Sequence, residues 1–173
     1  MQSIIVAPLS QVCGAINYTR KKLTMSHTTH IKSVPLRDAN LIEKAVTALQ
    51  AKGINCQLLQ NVKPRMFYAN QHVSCDLVLN LKDCPYDVGF EKNEDGVYEM
   101  VYDEWAGHVA KHIGAKCAQP TDASEKSAWG VGQFIQQYSK EAILEQAELQ
   151  GMILEYVNEL DNGELEVSIS VMN

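Results

Sequence analysis

The chain has 173 residues, of which 46% are hydrophobic and 21% charged, and its formal net charge is −6. These values predict one globular domain with a sizeable core, and they exclude a disordered chain. The charge is uneven, because residues 1–37 hold five Lys or Arg and no acid, whereas the other 136 residues hold ten bases and twenty-one acids. Such an acidic body should repel nucleic acid and anionic membranes, so we expect neither as a partner.

Cysteine content and hydrophobic runs indicate the compartment. The five cysteines are an odd number without a Cys-x-x-Cys spacing, which argues against a disulfide framework and for a reducing compartment. No segment approaches the run of about eighteen apolar residues that a transmembrane helix needs. We therefore expect a soluble cytoplasmic protein.

Residues 1–24 are basic and free of acids, and they precede a methionine typical of a start, Met25. A transit peptide would be acid-poor but richer in serine, and "SIIVA" could instead pair as a strand. We favour a misassigned start, because Arg20, Lys21 and Lys22 can be encoded by purine-rich codons, which a ribosome-binding site would place just upstream of Met25. The prediction is an N-terminal extension over 1–24, not part of the native protein, and a single domain over 25–173.

The domain is predicted to begin with a strand and a long helix. "HTTHIKSV" (His27–Val34) alternates polar and β-favouring residues, and we expect Pro35 to end it because proline cannot donate to a sheet. Asp38 is a suitable helix N-cap, and Gly53 a suitable stop. Between them the apolar residues have helical spacing: Leu41, Ile42, Ala45, Val46 and Leu49.

Four further strands are predicted before the next helix: Ile54–Gln60, Ser74–Leu81, Tyr86–Lys92 and Gly96–Trp105. The segment "NVKPRMFYANQH" after the first of them is a loop or a ragged strand. "NEDG" between the last two is a tight-turn signal that ends in Gly96. In the last strand we expect one face to be buried: Tyr98, Met100 and Tyr102.

The second half is predicted to contain a short helix at 104–113, a mobile excursion at 114–130, and a long helix at 131–151. Strands at 152–160 and 164–171, joined by the turn "DNG", complete it. The apolar face of the long helix is predicted from its spacing: Phe134, Ile135, Tyr138, Ala142 and Leu149.

The predicted order of elements is therefore β-α-β-β-β-β-α-β-β. Because strands outnumber helices and run mostly as hairpins, the predicted fold class is α+β. It has a mostly antiparallel sheet with the two long helices packed on one face.

Four segments resemble a known family: "MSHTTHIKS" (Met25–Ser33), "DANLIEKAVTALQAKG", "DLVLNL" and "YDVGFEKNEDGVYEMVYDEW". They are similar to the conserved hypothetical family of plastid and cyanobacterial genomes known as hypothetical chloroplast reading frame thirty-five, a domain of unknown function. The likeness covers Met25–Val171. It implies a start at Met25 and a plastid stroma or cyanobacterial cytoplasm, and it implies no activity.

The chain departs from that family in two places. Residues 110–130 resemble an insertion between Trp105 and the last helix. Family members often carry a "YAYH"-like run where this chain has "YSKE", so Glu141 stands where a family histidine would be.

The acids between Asp83 and Glu104 are the first candidate site. This stretch holds eight acids and one base, Lys92, and strand alternation should gather several of them on the solvent face of the sheet. One interpretation is an ordinary solvated face, and the other is a docking surface for a basic partner. The predicted contact residues are Glu91, Glu94, Asp95, Glu99, Asp103 and Trp105.

Glu104, His108 and His112 are the second candidate, since residues four apart line one face of a helix and could bind a metal ion. A solvated helix face is the alternative. Cys75 and Cys84 lie on neighbouring predicted segments and could approach each other or His72, but cysteines in a sheet are commonly inert.

The sequence contains no phosphate loop, dinucleotide-binding glycine pattern or nucleophile elbow. We therefore expect an accessory or binding protein without a cofactor, which meets a protein partner through the acidic sheet face. An edge strand could also mediate a homo-oligomer. The alternative function is a metal-dependent or redox enzyme that uses Glu104, His108 and His112.

Overall fold

The structure is a computed structural model that describes residues 2–6, 28–67, 74–160 and 164–171. In these residues the strands are β1 Gln2–Val6, β2 Thr28–Leu36, β3 Cys56–Val62, β4 Cys75–Leu81, β5 Val88–Lys92, β6 Tyr98–Asp103, β7 Met152–Glu159 and β8 Leu165–Val171. The helices are α1 Ala39–Ala51, α2 His108–Ile113, α3 Ala123–Gly130 and α4 Gly132–Leu149, with a 3-10 turn at Trp105–Gly107. The predicted α+β class is confirmed, while the "DNG" turn at 161–163 lies outside the described residues.

The strands form two antiparallel sheets. One has five strands in the order β2-β6-β5-β4-β3, and the other has three in the order β1-β8-β7. The sequence predicts one sheet, and the difference concerns the C-terminal hairpin formed by β7 and β8. The edge beside β6 is occupied by β2, so β7 and β8 pair with β1, which includes most of "SIIVA".

Pro35 does not end β2 as predicted. The strand continues to Leu36, which pairs with Tyr98, and its register shifts between Ile31 and Leu36. β2 is an edge strand of its sheet, where a proline can sit at an irregularity without removing a hydrogen bond between two strands.

The first long helix, α1, forms as its sequence predicts. Asp38 Oδ1 accepts a hydrogen bond from Asn40 N at 2.7 Å, which satisfies one of the unpaired N–H groups of the first turn. Gly53, at φ +85°, follows the helix in the left-handed conformation that glycine tolerates. All five predicted core residues are buried: Leu41, Ile42, Ala45, Val46 and Leu49.

The main core lies between the five-stranded sheet and the two long helices. α1 and α4 both contribute side chains to the cluster formed by the inner face of β4, β5 and β6. Phe134 of α4 packs on Phe90 with ring centroids 5.1 Å apart, and Tyr138 Oη accepts from Arg37 N at 2.9 Å. The burial of Tyr98, Met100 and Tyr102 confirms the predicted inner face of β6.

Two predictions in the second half are wrong. Residues 123–130 form α3 rather than a mobile excursion, because their small side chains allow close approach to β6: Tyr102 Oη donates to Ser127 O at 2.6 Å, and a Cβ on Gly130 would lie 2.3 Å from Tyr102 Oη. Leu149 is 77% exposed rather than buried. It is the last residue of α4, and Gly151, at φ +67°, turns the chain into β7.

The outer face of the five-stranded sheet, opposite the helices, is also partly covered. Val78, Gly89 and Val101 form one row across β4, β5 and β6, and residues 63–67, which we call the covering segment, pack Met66 against this row. A Cβ on Gly89 would lie 2.6 Å from Cys75 Sγ and 3.3 Å from Pro64 Cγ. Glycine therefore permits the covering segment to approach the sheet.

Candidate interaction surface

Of the predicted contact acids, Glu91, Glu99 and Asp103 lie on the outer face, and Glu94 and Asp95 lie on the hairpin turn. The five differ in exposure. Glu91 on β5 and Glu99 on β6 are directly opposite each other and are half-buried. Carboxylates in this position repel each other, and Asn93 Nδ2 donates to Glu99 Oε1 at 3.2 Å. This pair forms the acidic centre of the β5–β6 hairpin.

The turn of this hairpin presents two further acids. Asn93 Oδ1 accepts from Asp95 N and from Val97 N, both at 3.0 Å, which fixes the turn. Gly96 adopts φ +76° at its end, as the "NEDG" signal predicts. Glu94 and Asp95 are exposed, so their carboxylates are available to a partner.

Asp103 is placed differently from the other predicted contact residues, because its side chain is buried. Its Oδ1 accepts from Trp105 N at 2.8 Å, and its Oδ2 accepts from Phe67 N at 3.1 Å. Both oxygens are therefore used inside the molecule, and Asp103 presents no carboxylate to solvent. Its contribution is to hold the backbone at Phe67 and Trp105.

Asp87 performs the same task at Arg65, in the middle of the covering segment. Its Oδ2 accepts from Arg65 N at 2.9 Å and Arg65 Nε at 3.0 Å, and its Oδ1 accepts from Arg65 Nη2 at 2.7 Å. Asn80 Nδ2 and Leu81 N also donate to Oδ1. The hydrogen bond with Asp87 raises the pKa of Arg65, so the guanidinium stays charged.

The covering segment ends in an exposed aromatic pair. Phe67 is 53% exposed and Trp105 45% exposed, and their ring centroids are 5.9 Å apart. Trp105 is among the predicted contact residues, whereas Phe67 is not, because its segment is predicted only as a loop or a ragged strand. The signal was present, since residues 64 and 66 are apolar and face the sheet, which leaves residue 67 facing outward.

The candidate residues are not all close together. Glu91 and Glu99 are neighbours, and so are Asp103 and Trp105. Glu94 and Asp95 lie at the turn before β6, whereas Trp105 follows its far end. At about 3.3 Å per strand residue, the turn and the aromatic pair are separated by about 20 Å.

Glu104, His108 and His112 do not share one helix face. α2 begins at His108, and the preceding residues Ala106 and Gly107 adopt φ of 52° and 62°, so Glu104 is not on the helix. Tyr102 Oη lies 3.3 Å from Glu104 Oε1, and His108 packs edge-on against Tyr86. Among the residues described, no group of three or more His, Cys, Asp or Glu could hold a metal ion. The metal site stays a prediction without geometric support.

The described cysteines are free thiols: Cys56, Cys75, Cys84 and Cys117. Burial raises the pKa of Cys75 to about 12, with the nearby carboxylate of Glu91 adding to the shift. Burial also raises the pKa of Cys56 and of Cys84. A protonated thiol is a weak nucleophile, which agrees with the inert role predicted for cysteines in a sheet. Cys56 and Cys75 lie on β3 and β4, whereas Cys84 lies between β4 and β5. The predicted partner His72 lies outside the described residues.

Comparison with known families adds a classification. Residues 48–168, well over half of the chain, match the family described as Protein of unknown function (DUF1257). The chain belongs to this family. The match includes β3 to β7, the covering segment, both buried carboxylates and the aromatic pair, so the DUF1257 region contains the whole candidate surface.

Membership in DUF1257 assigns no activity. No curated protein and no solved structure matches the chain. In the described residues, none of the helices has the length and apolar character to cross a membrane. Any function must therefore be argued from the geometry of the site.

Proposed function

We propose that this protein is an accessory binding protein that contacts a basic protein partner through the outer face of its five-stranded sheet. The observation that carries the proposal is the Phe67–Trp105 pair. Two large rings are about half exposed, touch each other, and have both their backbone N–H groups bound by one buried carboxylate, Asp103.

Exposed aromatic side chains are typical anchors of protein interfaces, because they bury a large area and lose little conformational entropy. A pair of side chains whose backbone is already fixed loses still less conformational entropy on binding. Asp103 therefore acts as a positioning residue for the anchor, although it does not itself reach a partner.

The acids indicate what kind of side chains the partner carries. Glu94 and Asp95 are exposed at the turn, and Glu91 and Glu99 lie between the turn and the aromatic pair. A surface about 20 Å long fits within the roughly 800 Å² that a standard interface covers on each partner. Lysine and arginine side chains on the partner would complement these acids and raise the association rate.

The resemblance of Met25–Val171 to the plastid and cyanobacterial family gives the setting. We infer a cyanobacterial cytoplasm or a plastid stroma as the compartment, and a protein of that compartment as the partner. The acidic balance of the chain, with twenty-one acids against fifteen bases, supports a basic partner.

Affinity purification with matched baits tests the proposal. Tagged full-length protein, a Phe67→Ser/Trp105→Ser variant and an Ile153→Ser/Tyr156→Ser variant on β7 are compared in the source cell. A true partner is retained by the wild type and the β7 variant and lost by the aromatic variant. Binding to that purified partner should then weaken by about thirtyfold in the aromatic variant, as expected for an interface anchor.

A second variant tests the charge argument. Glu94→Gln/Asp95→Asn should lower the association rate by about twofold to fivefold and reduce its salt dependence, because these charges lie at the rim. A partner that binds the wild type and the aromatic variant equally would contradict the proposal.

A further inference from the structure

β7 is an edge strand with unusual exposure. It pairs with β8 on one side, and among the described residues no strand pairs with its other side. Every residue from Ile153 to Glu159 is exposed. Four of them are large and apolar, with exposed fractions between 37% and 47%, and we call them the β7 apolar set: Ile153, Leu154, Tyr156 and Val157.

The apolar set occupies both faces of the sheet. Leu154 is opposite Ile169 and Val157 opposite Val167, on the face that packs against α4, whereas Tyr156 is opposite Ser168 on the other face. The register shifts at Glu155, and without this bulge Tyr156 and Val157 would exchange faces. Two apolar side chains therefore lie on each face of the edge, Ile153 with Tyr156 and Leu154 with Val157.

Packing inside the protein does not account for this set. On β8, Val167 is fully buried and Ile169 is 6% exposed, while their opposite neighbours on β7 remain more than a third exposed. Proteins usually protect a free edge with charged side chains, proline or a β-bulge. β7 has a bulge at Glu155 but neither lysine nor proline, and four of its eight residues are large, apolar and exposed. A long apolar edge of this kind is typical of a strand that accepts a partner.

The sequence around β7 is acidic, although Lys44 and Lys140 pair with two of its acids, Glu145 and Glu141. The chain from Glu141 to Asn173 holds eight acids and no Lys, Arg or His. Glu155 lies in the middle of β7 and accepts from Ser168 Oγ at 3.0 Å. At the end of the strand, Glu159 is paired with Lys52 and Lys116 from elsewhere in the chain.

We propose that β7 accepts an extended segment of a partner protein as an added strand, in which apolar residues alternate with lysine or arginine. Main-chain hydrogen bonds to the free edge would give affinity, and the apolar set and surrounding acids would give specificity. This site lies on the three-stranded sheet and does not depend on the Phe67–Trp105 surface.

A second copy of the chain is a poorer occupant. Two-fold pairing of β7 with itself would bring Glu155 and Glu159 of both copies into one short ribbon. Like charges in facing strands are destabilising. Lys52 and Lys116 compensate Glu159, whereas Glu155 accepts from the neutral hydroxyl of Ser168, so the repulsion arises at the centre of the strand. A basic segment replaces this repulsion with attraction.

Binding of defined peptides to the full-length protein tests the proposal. The probe is a labelled peptide of about ten residues in which Val alternates with Lys, the length of a long strand. Two matched peptides carry Glu in place of Lys, or N-methyl groups that remove the N–H donors of one edge. Affinities are measured by fluorescence anisotropy at about 0.15 M salt, where long-range attraction is screened.

We expect the Val–Lys peptide to bind, and the Glu and N-methylated peptides to bind at least about tenfold more weakly. Ile153→Ser/Tyr156→Ser, or Val157→Lys if that double variant does not fold, should weaken binding by at least about tenfold, since a lysine protects an edge. Phe67→Ser/Trp105→Ser should leave binding unchanged, which separates this site from the proposed function.

Three results would overturn the proposal. One is equal binding of the N-methylated peptide, which would show general charge attraction. Another is undiminished binding to both β7 variants. The third is a dimer of the wild-type protein, seen by light scattering, that the β7 variants dissociate, because the edge would then belong to a second copy.

Discussion

The outer face of the five-stranded sheet and the edge strand β7 differ in which side chains they bury and which they expose. On the outer face, Asp87 and Asp103 are turned inward, and every carboxylate oxygen binds a backbone or side-chain donor. On β7, apolar side chains are turned outward and remain exposed. Buried polar groups that are satisfied make a surface rigid, whereas exposed apolar groups leave a surface with free energy to gain from a partner. The first region therefore holds the Phe67–Trp105 pair in place, and the second is an edge with no pairing strand on its outer side among the described residues.

The largest expected loss of stability comes from a substitution that removes the hydrogen bonds of Asp87. Asp87→Ala removes the acceptor of five hydrogen bonds and leaves Leu81 N without its side-chain acceptor. Because the Arg65 side chain is 44% exposed and can regain water, we expect a loss of about 3 kcal/mol, the lower end for a broken buried pair. Urea denaturation measures it, and Asp83→Ala at an exposed position is the control. A loss below about 1 kcal/mol would mean that Asp87 does not hold the covering segment.

The two buried aspartates also mark the limit of prediction from sequence. Helix α1, the β5–β6 hairpin and the inner face of β6 were predictable, because spacing, a cap and a turn signal all agree locally. Asp103 shares one face of β6 with Val101 and Glu99, and the alternation of the strand predicts that this face is exposed to solvent. Asp103 is buried because the covering segment packs on it, and the contact is made by Phe67, which is 36 residues away in sequence. Long-range contacts of this kind leave no periodic signal.

The next prediction compares the same substitution on two paired strands. Ile169→Ala on β8 should destabilise the protein by about 2 kcal/mol, the low end for such a truncation, because the residue is buried in a small packed cluster. Ile153→Ala on β7 should cost less than about 1 kcal/mol, because roughly half of its side chain already contacts water. Thermal or urea unfolding of both variants measures the difference. Equal losses would show that β7 is packed, and would remove the basis for an open edge.

Gly89→Ala gives an intermediate effect and tests how closely the neighbouring strands pack around Gly89 on the outer face. The new Cβ would lie 2.6 Å from Cys75 Sγ and 3.0 Å from Val101 Cγ1, so overpacking should cost about 1–3 kcal/mol. Adding Cys75→Ala removes the nearest atom. The double variant should therefore be less destabilised than the sum of the two single variants, by about 0.5 kcal/mol or more.

Strict additivity of those two substitutions would contradict the close approach. The control is Gly53→Ala, where no atom lies within 4 Å of the new Cβ but φ is +85°. Its cost arises from backbone strain alone, so it should not respond to Cys75→Ala.

The smallest expected effect concerns the end of β7. Hydrogen bonds from Lys116 and Lys52 lower the pKa of Glu159, and these lysines lie after α2 and at the C-cap of α1. A lowered folded-state pKa adds stability above the unfolded pKa of about 4.3, and this stability is lost as the pH falls through the folded value. Since all three side chains are partly exposed, solvent screening limits the contribution of the ion pairs to at most about 1 kcal/mol.

Glu159→Gln should therefore lower the free energy of unfolding slightly at pH 7 and have a vanishing effect below about pH 4. Glu148→Gln, at the exposed end of α4, removes the same charge and should cause no loss at either pH. If Glu159→Gln also leaves stability unchanged at pH 7 but frees β7 for faster amide exchange, the ion pairs hold the edge in place without stabilising the whole fold. The ion pairs of Glu159 with Lys52 and Lys116 would then keep β7 ordered for binding. The proposed strand addition requires an ordered edge, whereas a hairpin with only a structural role does not.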